Sequence, residues 1–130
     1  MSSTLAICIP TYNRREYLLE LLEILIPQVL PYDIPIYISD NHSSDDTVIA
    51  VKSFAKEQYQ RIFIQVNPEN YGFDINVSKV VAMASEDYVW LVPDDDRPNK
   101  DAISKIILKL DFNYALIAVN LSRYNRDFSQ

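Results

Sequence analysis

Three carboxylates in a row, Asp94-Asp95-Asp96, follow directly on the apolar run Tyr88-Val89-Trp90-Leu91-Val92-Pro93. Adjacent negative charges repel, so a fold that sets them at the mouth of a buried strand usually supplies a cation. Oxygen-only ligands favour a hard ion such as Mg²⁺ or Mn²⁺. An ion held by one or two carboxylates keeps coordination positions for other ligands, most often phosphate or diphosphate. The triplet therefore points to a nucleotide-type substrate. Gly72 is the only glycine, which excludes the dinucleotide fingerprint and the P-loop, both built on several glycines. Any phosphate bound here would lean on a metal.

The elements that must position this triplet can be read from hydropathy patterning. Leu5-Ala6-Ile7-Cys8-Ile9 is a short apolar run ended by Pro10, the mark of a buried strand. Asn13 with Glu16 has the form of a capping box, and Leu18, Leu21, Leu22 and Leu25 form an apolar helical stripe that Pro27 is expected to end. A second strand is expected over Ile34 to Ile38, then a helix from about Asp45 to Glu57 capped by Ser44. Ile62 to Val66, a helix from about Asp74 to Ala84, Tyr88 to Val92, a helix over roughly Lys100 to Leu110, and a fifth apolar strand, Tyr114 to Val119, follow.

Strands alternating with helices read as βαβ units. The expected fold class is α/β, a mostly parallel sheet with helices on both faces, in one domain spanning residues 1–130. Ligands of such sheets bind outside the carboxyl ends of the strands, where helix amino termini also point. Thr11-Tyr12-Asn13, Asp40-Asn41-His42-Ser43, Asn70-Tyr71-Gly72 and Asp94-Asp95-Asp96 each follow a strand, so all four are expected on one edge. Each alone reads more simply as a solvated turn or a helix cap. Their convergence is what favours a site. The opposite connections, Gln28 to Asp33, Gln58 to Arg61 and Ser85 to Asp87, hold nothing comparable.

Composition narrows the partners. A net charge of -6, from 18 acidic and 12 basic residues without a dense Lys/Arg patch, argues against nucleic acid. Cys8 is the single cysteine, so neither an internal disulfide nor a cysteine-based zinc site is available. No apolar stretch approaches the roughly 20 residues of a membrane span, and Met1-Ser2-Ser3-Thr4 lacks the basic start of a signal peptide. The expected location is the cytoplasm, extending to the periphery of the membrane's inner face.

Laid end to end, Ile7 to Arg14, Ile38 to Thr47, Asn67 to Asn76 and Tyr88 to Asp96 resemble the amino-terminal part of family 2 glycosyltransferases with the GT-A fold, whose nucleotide-binding half is Rossmann-like. The resemblance covers about Leu5 to Leu110. Gly72-Phe73-Asp74 together with Val89 to Arg97 is most similar to the branch acting on bacterial surface polysaccharides, including abequosyltransferase-like members.

The resemblance implies a nucleotide-diphosphate sugar donor, with UDP-sugar favoured, and a saccharide or lipid-linked acceptor. It implies that Pro10, Thr11, Tyr12 and Asn13 line the nucleotide pocket, Tyr12 offering a ring to the base, and that Asp40 accepts a hydrogen bond from the base. Asn70 and Gly72 join the same site. Asp94-Asp95-Asp96 takes the place of the DxD signature. Asp96 is favoured for the metal, Mn²⁺ or Mg²⁺, with Asp94 as its partner and also near the ribose, and Asp95 counted with the nucleotide contacts and as the alternative metal ligand. In inverting relatives a separate carboxylate deprotonates the acceptor hydroxyl. They place it in a later, acceptor-binding part, so this chain resembles a truncated donor half that transfers sugar poorly or not at all alone.

Departures from the family pattern are equally specific. His42 stands where many relatives have glycine. An arginine often found in the helix after Gly72 is absent, Lys79 being the nearest basic group. Simpler readings hold for Trp90 as a packing residue, for Asp45 and Asp46 as first-turn acids, and for His42 as a loop residue without a catalytic role. A catalytically silent relative that only binds nucleotide sugar is the alternative reading. A phospho-acceptor receiver is a weaker one, since it needs an acidic pair where this first strand ends in Pro10 to Asn13. An uncovered sheet edge, with Tyr114 to Val119 beside it, would favour self-association.

Overall fold

The structure, a computed structural model, describes residues 3–110. Strand and helix alternate as β1 (Leu5–Thr11), α1 (Arg15–Val29), β2 (Ile36–Asp40), α2 (Thr47–Gln58), β3 (Ile62–Val66), α3 (Phe73–Ala82), β4 (Tyr88–Leu91) and α4 (Ala102–Leu110). The described strands form one sheet in the order β3-β2-β1-β4, and all pairings are parallel. The expected α/β class is what the chain adopts. The chain winds outward from β1 to β2 and β3, then crosses back to lay β4 on the other side of β1. The order therefore reverses between β1 and β4, the position where crevices open in sheets of this kind.

Every residue of β1 is buried, which is why that segment reads as an unbroken apolar run rather than an alternating one. Ile7 and Ile9 join Ile36 and Ile38 beneath Leu18, Leu21, Leu22 and Leu25 of α1, Val51 of α2, and Ile103 and Ile106 of α4. On the opposite face α3 lies against β1 and β2. There the buried Cys8 thiol points at the Val80 carbonyl (3.5 Å). Burial, helped by the charge of Glu86, pushes its pKa up to about 12. Such a thiol is a core group, not a nucleophile.

Several boundaries differ from the sequence expectation, each for a local reason. Pro27 does not end α1. It falls near the helix terminus, where one lost backbone bond matters little, and burial of Gln28 and Val29 draws the chain on to a 3₁₀ turn at Leu30–Tyr32. β2 starts at Ile36 rather than Ile34, although the preceding Pro35 carbonyl still accepts the Ile7 N–H at 3.0 Å. β1 runs through Pro10 to Thr11. Strand alternation aims the missing Pro10 N–H toward β4, beyond the last β1–β4 pair, Cys8 with Leu91, so no ladder bond is forfeited. The segment Tyr114 to Val119 lies outside the described residues.

At the carboxyl edge of the sheet a buried amide cluster replaces apolar packing. The Asn76 amide, on α3, donates to the carbonyls of Ser39 (3.0 Å) and Thr11 (3.4 Å) and accepts from Asn67 Nδ2 (2.9 Å). Asn67 Nδ2 also donates to Asn41 Oδ1 (3.0 Å). One asparagine on a helix thus fixes the ends of β1, β2 and β3 together. Asn76→Ala should lower stability by about 2 kcal/mol, because the carbonyls of Ser39 and Thr11 lose a buried donor. Urea unfolding followed by circular dichroism checks this; a loss under about 0.5 kcal/mol would contradict it.

Candidate functional site

The carboxyl ends of the four described strands share one edge, and short hydrogen bonds tie the loops that leave them. Thr11, the last residue of β1, donates its hydroxyl to Asp94 Oδ2 at 2.9 Å, linking the loops on either side of the crevice. Its carbonyl accepts the Asn41 N–H (2.9 Å), and the Asp40 carbonyl accepts the Asn67 N–H (2.8 Å). The four clusters read from the sequence therefore stand side by side along the rim.

Asn13 joins the first two loops. Its backbone is left-handed (φ 51°), a conformation asparagine tolerates better than most residues. That twist turns Oδ1 toward the next loop, where it accepts the N–H of Ser44 (2.8 Å) and Asp45 (3.3 Å). Asn13 N–H in turn donates to Ser43 Oγ (2.8 Å), which donates to Asp40 Oδ1 (2.6 Å). Neither expected cap forms: α1 begins after Arg14 and α2 after Asp46, without a side-chain bond at either cap. The side chains of Asn13 and Ser44 are used between loops instead. Thr47 at the start of α2 bonds Asp45 Oδ1 through its N–H and its hydroxyl.

Asp40 is fixed at the root of its loop. Its relative exposure is 0%, and its two oxygens accept from Ser43 N–H (2.8 Å) and Ser43 Oγ. It holds a turn, and each of its oxygens keeps a further lone pair able to accept a hydrogen bond. Asn70 Oδ1 accepts from Asn41 Nδ2 of the second loop and from Gly72 N–H of its own (both 2.8 Å). Gly72 has φ 88° at the start of α3, a conformation that suits glycine. His42 also has positive φ (68°), which explains why glycine would suit that position. Its Nδ1 lies 3.2 Å from the Asn67 carbonyl, so Nδ1 carries the proton and donates. Tyr12 is left with its ring exposed on the rim.

The acidic loop is graded in exposure. Asp94 is buried, Asp96 half-buried and Asp95 exposed. Arg97 seals the loop from below: its guanidinium donates to the carbonyls of Asp94 (3.2 Å) and Asp96 (2.6 Å), to the Tyr17 carbonyl (3.1 Å) and to Glu20 Oε2 (2.8 Å). Its side chain is only 11% exposed. Above the loop, Arg14 Nη1 lies 3.2 Å from Asp95 Oδ2 and 3.7 Å from Asp94 Oδ1. Burial raises the Asp94 carboxyl above the usual range, opposed by the Thr11 hydroxyl and Arg14 and reinforced by Asp95. Burial, then the charge of Asp95, raises Asp96.

Among the described residues, no three of His, Cys, Asp and Glu gather into a cage able to hold a metal unaided. The donor set fits a different arrangement, an ion held through one or two carboxylates and completed by phosphate oxygens and water. Asp96 is the better candidate, because among the described residues its carboxylate makes no hydrogen bond, whereas Asp94 already accepts from Thr11. Sequence reasoning placed Asn41 on the rim without a role and assigned none to Asn67, Asn76 or Arg97. A polar Asn76 in line with Val80 on an otherwise apolar helical stripe was the available signal for the amide cluster. Nothing in the sequence shows that Arg97 turns back under its own loop.

The family model described as glycosyl transferase family 2 matches residues 6–130. Abequosyltransferase RfbV of Salmonella typhimurium is 38% identical over 108 residues, which cover 82% of this chain and 32% of that protein. A GalNAc(5)-diNAcBac-PP-undecaprenol beta-1,3-glucosyltransferase of Campylobacter jejuni is 31% identical over 118 residues, 89% of this chain and 37% of its own. The chain thus spans about a third of the length of these curated relatives. Among solved structures, the mannosyltransferase PcManGT of Pyrobaculum calidifontis, in complex with GDP-Man and Mn²⁺, superposes with a TM-score of 0.70 at 22% identity, over 78% of this chain and 30% of that one. S. aureus TarS 1-349 in complex with UDP-GlcNAc gives 0.72 at 23%, over 84% and 31%. These likenesses show the shared fold.

A carboxyl whose pKa is raised in the fold stabilises it when protonated, and that stabilisation is lost as pH rises through the raised value. Asp96 therefore burdens the fold at neutral pH. Asp96→Asn should be more stable than the parent there, by under about 1 kcal/mol given partial screening. The difference should close below the ordinary carboxylate range. Denaturant unfolding at both pH values checks this; a variant less stable than the parent at neutral pH would contradict it.

Proposed function

The chain belongs to glycosyl transferase family 2, and on that premise we propose that it forms the donor-binding half of a glycosyltransferase. The enzyme would act in bacterial surface polysaccharide synthesis and move a sugar from a nucleotide-diphosphate donor, UDP-sugar favoured, to a saccharide or lipid-linked acceptor. Residues 1–130 then make one domain. One observation carries the reading: the Thr11 hydroxyl bound to Asp94 at 2.9 Å, which brings the first loop and the acidic triplet together where the sheet order reverses.

In this proposal the nucleoside lies across the loop from Pro10 to Asn13. Tyr12 offers an exposed ring for stacking on the base. Asp40 accepts a hydrogen bond from the base while holding, through Ser43, the turn against which Asn13 is fixed, and Asn70 and Gly72 shape the third loop beside the nucleotide. Asp94, kept in place by Thr11 and by Arg97 at its carbonyl, faces the ribose, with Asp95 beside it. Asp96, with Asp94, would hold a divalent cation, Mn²⁺ or Mg²⁺. When bound, such an ion supplies a Lewis acid that stabilises the negative charge of the departing diphosphate. Displacement with inversion needs a base for the acceptor hydroxyl; no described residue is assigned that role.

Calorimetry with UDP, GDP and CDP, each with and without Mn²⁺, tests the reading. One nucleotide should bind measurably with Mn²⁺, and Asp96→Ala should weaken that binding at least about tenfold, the loss of one charge-assisted ligand. Failure of all three nucleotides in the presence of Mn²⁺ would overturn it. Turnover in a parallel transfer assay, compared with a longer relative, separates a competent catalyst from a protein that only binds donor.

A further inference from the structure

The acidic loop carries its own cation. Arg14 Nη1 lies within 3.2 Å of Asp95 and 3.7 Å of Asp94, and among the described residues no part of this guanidinium is tied to backbone. Building on the donor-binding reading, we infer that Arg14 is the exchangeable counter-ion of this loop: it neutralises Asp94 and Asp95 in the free protein, releases Asp94 to a divalent ion held there with Asp96, and passes to the diphosphate of the donor.

Exposure and anchoring single out Arg14 from the other cations at this end of the described residues. Arg97 is committed to three carbonyls and Glu20 and is nearly sealed from solvent, so moving it would dismantle the loop. Arg15 pairs with Asp46 on the far side of the first helix turn (3.3 Å). Lys79 sits over the Tyr71 ring, beside the third loop. Arg14 alone joins a 48% exposed side chain to direct contact with the carboxylates. Its guanidinium also rests over the Tyr17 ring, 5.5 Å from the centroid. That contact is between an exposed guanidinium and a ring face, a weak attraction that a charge-assisted bond to phosphate can replace.

The chemistry requires exchange rather than coexistence. A guanidinium and a divalent ion repel at such distances, so the arginine must leave the carboxylates that the ion approaches. A planar fork freed at the rim suits phosphate oxygens, which it can meet through two N–H groups at once. This also supplies a positive group for the diphosphate in a chain whose third helix has none in its first turn.

The test measures two affinities that should move in opposite directions. Using the full chain, Mn²⁺ alone is titrated by electron paramagnetic resonance of the free ion. UDP, with inorganic diphosphate as a base-independent probe, is titrated by calorimetry at fixed Mn²⁺. Arg14→Gln should bind Mn²⁺ alone about three- to tenfold more tightly and both diphosphates about tenfold more weakly, the scale of one charge-assisted contact. Arg15→Gln, which removes the same charge one residue away, should change neither. If R14Q does not fold by circular dichroism, Arg14→Lys decides, since it keeps the charge but not the fork: unchanged Mn²⁺ affinity with weaker diphosphate binding supports the inference. Unchanged or weaker Mn²⁺ binding in R14Q, undiminished diphosphate binding in either Arg14 variant, or equal effects in R15Q would overturn it. A parent chain that binds no Mn²⁺ under any of these conditions would instead remove the metal from the proposed function, and this inference with it.

Discussion

Negative charge concentrated at the mouth of β4 is the constraint around which this edge of the molecule is organised. Asp94 is buried and Asp96 half-buried, and burial raises both carboxyls above their usual range. A fold tolerates that only by surrounding the charge with donors. The Thr11 hydroxyl takes one oxygen of Asp94, Arg97 fixes the loop through its carbonyls, and Arg14 lies across the outer carboxylates. Two arginines therefore serve one loop in different ways, one built into its floor and one resting on its open side.

Behind the acidic loop stands a second, uncharged arrangement. Asn41, Asn67, Asn70 and Asn76 satisfy one another and the strand-end carbonyls in a region with little apolar packing of its own. Buried amides are costly unless every donor and acceptor is matched, and a matched set admits few alternative geometries. The rim is thus rigid where Asp40 and Asn70 hold their turns and open where Tyr12, Asp95 and Arg14 reach solvent. That division suits a site in which a fixed floor receives a ligand and a few exposed groups close on it.

The sheet and its class were legible in the sequence because buried parallel strands leave apolar runs that few other structures produce. Ile62–Val66 matches in full, and β1 and β4 differ from expectation by one or two residues. The shared rim followed from topology alone, without knowledge of any side-chain contact. What stayed illegible was the choice each polar residue makes among partners. Asn13 and Ser44 have the local form of caps, yet they bond across loops because the parallel sheet brings those loops together. Asp40 has the type of a ligand-binding residue, and its bonds to Ser43 three positions on are a further use that its type does not announce. Pro27 reads as a terminator but lies where a helix can spare a bond. Arg97 contacts Tyr17 and Glu20, far away in the chain, and no local pattern encodes that.

All of this converges on one spatial claim, that a nucleoside diphosphate and its cation are held between the first loop and the acidic triplet. The most direct measurement is a crystal structure of the chain soaked with UDP and Mn²⁺, using the anomalous signal of manganese to locate the ion. The expected result is a manganese peak bonded to Asp96, diphosphate oxygens beside it, and the base against Tyr12. A manganese peak remote from residues 94–96, or nucleotide density at the opposite edge of the sheet, would contradict it.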